Sequence, residues 1–389
     1  MKIKSILTAV LTVFCLSAFA QKNEFNSAKG NYEKFVQLKE AGSLVLAKPS
    51  ILNAKTSIEK ASVNEKTKSD PAVWTYKALI NAELALIDTT SSAESYFNAA
   101  QEALKTSLEL DKEGTQQSNL KVVGDLSAQY FLNRGVKAYQ TQQYSAAFDL
   151  FNQSLTYRPG DTTIIYYSGL SAINAQNYPA AISKYTELVE TNFSSVPQIA
   201  LDLSRLHALQ KDTVKAIEVA SKFSAKFNDV ALATQEIELS LMSGKEKQVL
   251  TKISEQVAKE PSNKTYHFYL GIAYGSSKNY KKAEESYKKA LEIDPNYEDG
   301  ALNLGSTILN QGIDLYNAAN KLPVSKQKEY DIAIKQAYAE FERALPYLQK
   351  TVEINPKSLA GWENLKTYYV IKRNQAKVDE INKTLSSIR

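Results

Sequence analysis

The chain repeats itself every 34 residues, and this interval limits its fold more than any other feature. Gly135 and Gly169 are 34 apart, as are Tyr144 and Tyr178, and Ala147 and Ala181. Gly271 and Gly305 repeat the interval, and so do Pro261 and Pro295. Gly135 and Gly271, Tyr144 and Tyr280, Ala147 and Ala283, and Pro159 and Pro295 lie four periods apart. Residues 196–263 therefore hold two diverged units in nearly unbroken register. A period of this length belongs to a helix–turn–helix array. Such an array is not limited by the size of one core, so a 389-residue chain need not divide into ordinary domains.

Residues 264–297 show the physics of one unit. Leu270-Gly271 precede Tyr274 on a first helix, where glycine costs ~1 kcal/mol of helix propensity and implies close helix approach. Lys278-Asn279 form the turn and Tyr280 packs into it. Ala283, Tyr287 and Ala290-Leu291 then fall on one face of a second helix. Asp294-Pro295 stop that helix, because a residue before proline is pushed out of the α region.

This pattern resembles the tetratricopeptide repeat family. The resemblance rests on residues 128–161 (Phe131, Gly135, Tyr144, Ala147, Phe151, Pro159), 162–195 (Ile165, Gly169, Tyr178, Ala181, Tyr185) and 264–297. The second unit has Phe193 where the family prefers Pro, and the third has His267 in the place that favours Trp. It implies an all-α fold, a right-handed α-solenoid of about nine stacked antiparallel helix pairs. Irregular helical repeats are expected over 21–127, the array proper over 128–297, and a related C-terminal region over 298–389. Trp74 and Ala78 begin one flanking helix, Ala100 to Asp111 its partner, and Trp362, Leu365 and Tyr369 the last pair. Residues 25–64 read as two amphipathic helices broken at Gly42 and Pro49.

One pair departs from the rule. From Pro295 to Pro356 is 61 residues, 27 more than a period. Both helices are expected to lengthen by ~13 residues, or ~20 Å. The first should run to Lys321, with Ser325 capping the second and Pro346 kinking it. Leu315, Ala318 and Leu322 should meet Tyr330, Ile334, Ala337 and Phe341 along a seam, leaving Tyr316 and Tyr338 outside it. The hairpin is then either a self-contained spacer or a docking element.

Residues 1–20 read as a signal peptide. Lys2 and Lys4 give a basic start, Ile6 to about Leu16 an apolar stretch too short to span a bilayer, and Ala18-Phe19-Ala20 a cleavage site before Gln21. The expectation is an exported, periplasmic or envelope-associated protein without a transmembrane span after cleavage. The one cysteine, Cys15, lies in this leader, which leaves the mature chain without disulfides, thiol chemistry or Cys-based metal sites. The formal charge of +5 falls to +3 without Lys2 and Lys4, too little for charge-driven nucleic-acid binding.

No HExxH, phosphate loop or GxSxG is present, and no cofactor or metal site is indicated. His207 and His267 have no matching acid or second ligand at a known spacing and read as packing residues. Lys281-Lys282 and Lys288-Lys289 alternate with Glu284 and Glu285 as a solvated face. The resemblance assigns repeat packing to Gly135, Tyr144, Ala147, Gly169, Tyr178, Ala181, Gly271, Tyr280, Ala283 and Gly305. It assigns a partner-binding groove to Leu132, Val136, Tyr139, Gln140, Tyr166, Leu170, Ile173 and Asn174. Leu201, Arg205, Ala208, Phe268, Ile272 and Ser276 continue it, with Leu302, Ser306, Leu309 and Asn310. These places are mostly apolar or aromatic, unlike the cationic, Asn-bearing set of the chaperone-binding branch. The favoured reading is a non-enzymatic scaffold for a protein or peptide. The alternative is an envelope protein that stacks sugar rings on Tyr139 and Tyr166.

Overall fold

The computed structural model describes residues 24–388, so the expected leader lies outside the described residues. These residues form eighteen α-helices and no strand. They separate into two compact units, the first ending at Val196 and the second beginning at Pro197. The division falls inside the stretch expected as one array.

The first unit holds α1 (24–40), α2 (Leu44–Ser62), α3 (Pro71–Ile87), α4 (Ser92–Leu110), α5 (Gln117–Gln140), α6 (Tyr144–Tyr157), α7 (Thr162–Asn174) and α8 (Tyr178–Val189). The second holds α9 (Val196–Leu209, from Pro197 on), α10 (Thr213–Phe227), α11 (Val230–Met242), α12 (Glu246–Lys259), α13 (Lys264–Ser276), α14 (Tyr280–Ile293), α15 (Glu298–Ala319), α16 (Gln327–Ile354), α17 (Leu359–Ile371) and α18 (Gln375–Ile388). Successive helices pack in antiparallel pairs, the all-α layout that the period implies.

Short turns recur with the sequence. The middle residue of each three-residue turn within a pair is left-handed, at Gln142, Gln176, Lys211, Lys278 and Arg373 with φ between 54° and 62°. Glycine takes that place only at Gly42 and Gly244. The next N–H reaches back five residues, Gln143 to the Ala138 carbonyl at 2.8 Å and Asn279 to that of Tyr274 at 2.9 Å. This closure satisfies carbonyls that the helix end leaves orphaned. Helix starts are capped by carboxylates and amides: Asp161 accepts from the Thr163 and Ile164 N–H groups, and Asn279 from that of Lys282.

Packing within a pair follows a fixed spacing of 16. A Cβ added at Gly135 would lie 2.8 Å from the Phe151 ring, at Gly169 2.5 Å from Tyr185, and at Gly271 2.4 Å from Tyr287. Each of these rings is buried. In the long pair a Cβ added at Gly305 would lie 2.7 Å from Leu348, 43 residues on, so the 27-residue insert lengthens the hairpin and leaves the repeat contact in register. A second spacing appears where the ring nitrogens of Trp74, His267 and Trp362 each donate to the carbonyl six residues earlier, at 2.7, 2.9 and 2.9 Å. His267 thus does the structural work of a tryptophan. His207 is also buried, and burial lowers its pKa.

Several expectations are corrected. Pro49 lies inside α2 rather than ending a helix. The α2 stripe Ala47, Ile51, Ala54 and Ile58 is fully buried, and that burial outweighs one missing hydrogen bond. The insert is shared unequally: α15 has 22 residues against 13 in α13, and α16 has 28 against 14 in α14. Ser325 lies in a 3-10 turn, and α16 starts at Gln327, its N-cap residue Lys326 making no capping bond with its side chain. Helix α16 runs through Pro346 to Ile354. In the seam Ala319, not Ala318, is buried, and Tyr316 and Tyr338 pack edge to face at 6.5 Å against the buried Phe341 cluster. Those two tyrosines belong to the hairpin's own core.

Candidate functional site

In the first unit the expected groove places are partly used up by contacts among themselves. Tyr139 and Asn174 come together, the Asn174 amide donating to the Tyr139 hydroxyl at 3.0 Å. Tyr139 meets Tyr144 edge-on, at 5.3 Å and 67°. Tyr166 lies between Tyr167, at 63°, and Phe193, at 33°. Leu132, Leu170 and Ile173 are half-buried, whereas Val136 and Gln140 are exposed. Burial raises the pKa of Tyr139, with Tyr144 adding to the effect.

The second unit has an open cavity of about 450 Å³ between α13 and α15. Four expected places line it: Ile272, Ser276, Ser306 and Asn310. Asn303, which the sequence reading missed, joins them, with Ile313 beside Ile272 as the apolar part of the wall. Helix geometry explains the stripe, since 303, 306, 307, 310, 313 and 314 share one face. Leu309 falls off that face and is 3% exposed, within the hydrophobic cluster around Phe341. Leu201 is buried as well, and Phe268 packs against Tyr269, Tyr287 and Tyr297. Arg205 is exposed on α9 and pairs with Asp202 at 3.6 Å. Leu309 and Leu201 are therefore core residues, not groove residues, and this groove is more polar than expected.

Local bonds fix the polar wall. The Ser306 hydroxyl donates to the Leu302 carbonyl at 2.7 Å and accepts from the Asn364 amide at 2.6 Å. The Asn303 amide donates to the Asp299 carbonyl at 2.9 Å. At one end Asp314 accepts from Lys278 and Tyr280, both at 2.7 Å, tying α15 to the α13–α14 turn. Lys278 and Tyr280 hold the Asp314 carboxyl below its ordinary range. Burial, then the bond to Asp314, pushes Tyr280 up to about 12. Asn310 is exposed on the cavity wall, and its side chain makes no hydrogen bond among the described residues. An amide carries both donor and acceptor, the complement of a peptide unit. Among the described residues no group of three or more His, Cys, Asp or Glu side chains is placed to hold a metal.

Tetratricopeptide repeat profiles match residues 168–228 and 265–297. The chain is a tetratricopeptide repeat protein. Solved structures of other tetratricopeptide repeat proteins are similar to it at low identity. The C-terminal part of a repeat protein from Cytophaga hutchinsonii is 17% identical, covering 66% of this chain and 95% of its own, with a TM-score of 0.47. YrrB, described as having an unusual peptide-binding site, is 15% identical over 48% of this chain and 94% of its own, with a TM-score of 0.37. A repeat protein from Bacteroides fragilis is 18% identical over 63% of this chain and 98% of its own, with a TM-score of 0.34. No curated protein matches the sequence of this tetratricopeptide repeat protein.

Proposed function

We propose that this protein is an exported, non-enzymatic scaffold that binds an extended peptide segment of a partner protein between α13 and α15. The observation that carries this reading is the cavity itself. Asn303, Ser306, Asn310 and Ser276 place amides and hydroxyls around an apolar wall of Ile272 and Ile313. Peptide backbone needs alternating donors and acceptors, and side chains need apolar seats. Tetratricopeptide repeat proteins are generally non-catalytic scaffolds, which agrees with the wall chemistry. The glycan alternative needs exposed, parallel rings. Tyr139 and Tyr166 are half-buried and meet neighbours at 67° and 63°, which favours the peptide.

Panning a phage-displayed library of random peptides on the purified chain tests the groove. Enriched peptides should bind the chain saturably, and Asn303→Ala combined with Asn310→Ala should weaken them about tenfold, from two lost hydrogen bonds. Peptides that bind the double variant equally well would place the site elsewhere. The export half rests on Lys2, Lys4, the apolar stretch and Ala18-Phe19-Ala20. Among the described residues no helix is long and apolar enough to cross a membrane. Mass spectrometry of the protein from its native cells should find an N-terminus at Gln21, and a cytoplasmic chain that keeps Met1 would end the export reading.

A further inference from the structure

A second cavity, of about 500 Å³, lies within the first unit, where the packing rule changes. Helix α15 packs on the preceding second helix, α14, whereas α5 packs on α3 and makes only marginal contact with α4. The gap is walled by the end of α3, the α3–α4 turn, α5 and α6. Its lining is mixed, and the apolar part includes the buried Ala85, Ala93 and Ala138 together with Leu86 and Leu150. Its size is that of a small-molecule site.

The rim carries cations where the repeat elsewhere does not. Arg134 stands in the register place of Ser168 one period on and of Leu270 four periods on. Its guanidinium lies 4.9 Å from the centroid of the Tyr130 ring and bonds the Tyr130 hydroxyl. Tyr130 is itself stacked on Phe97 at 4.4 Å and 5°, so the cation rests on an immobilised ring. Lys137, three residues on, lines the same rim. Neither makes a salt bridge with a carboxylate of the described residues. Asp88 also lines the rim, but its carboxylate accepts the Thr90 N–H at 2.7 Å within its own loop.

We propose that this cavity binds a small organic acid, its carboxylate held by Arg134 and Lys137 and its short apolar body seated among Ala85, Ala93, Ala138 and Leu150. A ring-anchored guanidinium loses little freedom on binding, and its planar fork matches a carboxylate. Asn133, also on the rim, supplies a further amide donor, its carbonyl oxygen already accepting from Gln129. The site is separate from the α13–α15 groove and uses none of the expected groove residues, so its failure leaves the peptide reading intact.

Isothermal titration of the chain with hexanoate and benzoate, and with 1-hexanol and benzyl alcohol as uncharged counterparts, tests it. An acid should bind saturably and about tenfold tighter than its alcohol. Arg134→Gln, on the exposed rim, should reduce that affinity about tenfold, with circular dichroism unchanged. Lys137→Gln serves as the second variant and should weaken the acid without affecting the alcohol. The proposal is overturned if neither acid saturates by about 10 mM, if acid and alcohol bind alike, or if both variants bind the acids as the parent chain does.

Discussion

Phe341→Ala is expected to cost about 3–5 kcal/mol and to loosen the long hairpin of α15 and α16 before the rest of its unit. The ring is 1% exposed. It fits because Gly312 has no side chain: a Cβ there would lie 2.6 Å from the ring. Tyr338 meets it edge-on at 5.7 Å, and Ala337 is buried in the same cluster. Truncation would remove the large buried side chain at the base of the lengthened part and leave a cavity that Gly312 cannot fill. Repeat arrays unfold through nearest-neighbour interfaces, so one denaturation midpoint can hide the effect. Hydrogen exchange should therefore be followed by segment, with protection over 312–341 falling first. Ile332→Ala is the control, since Ile332 is 60% exposed and its loss should stay within about 0.5 kcal/mol. Equal protection in Phe341→Ala and the parent chain would mean that the distal hairpin is not held by this seam.

The fold was legible because its main contacts are local. A glycine and a ring 16 residues apart belong to two helices joined by three residues, and the pair recurs at 34. The ring nitrogens that reach six residues back are equally local. What the sequence hid depends on helix rotation. Asn303 and Leu302 are one residue, or about 100°, apart on α15, and only the packing of Leu309 into the cluster of Phe341 decides which faces the cavity. Resemblance pointed to Leu302 and Leu309 together with Ser306 and Asn310, and only Ser306 and Asn310 line the cavity. Pro49 misled for the opposite reason. Its local cost is real, but four buried residues on the same face of α2 are a tertiary effect that local propensity does not report. The cavity at Arg134 was invisible for a third reason, because it arises from α5 choosing α3 over α4, and the 34-residue register carries no trace of that choice.

Two glycines one helical turn apart on α13 should respond in opposite directions. Gly271→Leu is expected to destabilise the second unit by about 1–3 kcal/mol through overpacking. Even the first carbon of the new side chain would lie 2.4 Å from the Tyr287 ring. That ring has nowhere to go, being 2% exposed and packed in the cluster that contains Leu304 and Ile308. At Gly275, by contrast, an added Cβ finds its nearest neighbours, the Ala283 Cβ and the Tyr287 hydroxyl, at 3.9 Å, an ordinary contact. Gly275→Ala should therefore gain up to about 1 kcal/mol from helix propensity alone. Both positions lie within α13, so backbone entropy is common to the pair and only the distance to Tyr287 separates them. Urea denaturation of the two variants, read with a probe in the second unit, measures the difference directly. If Gly271→Leu and Gly275→Ala moved the midpoint alike, close approach at Tyr287 would not be what holds the repeat together.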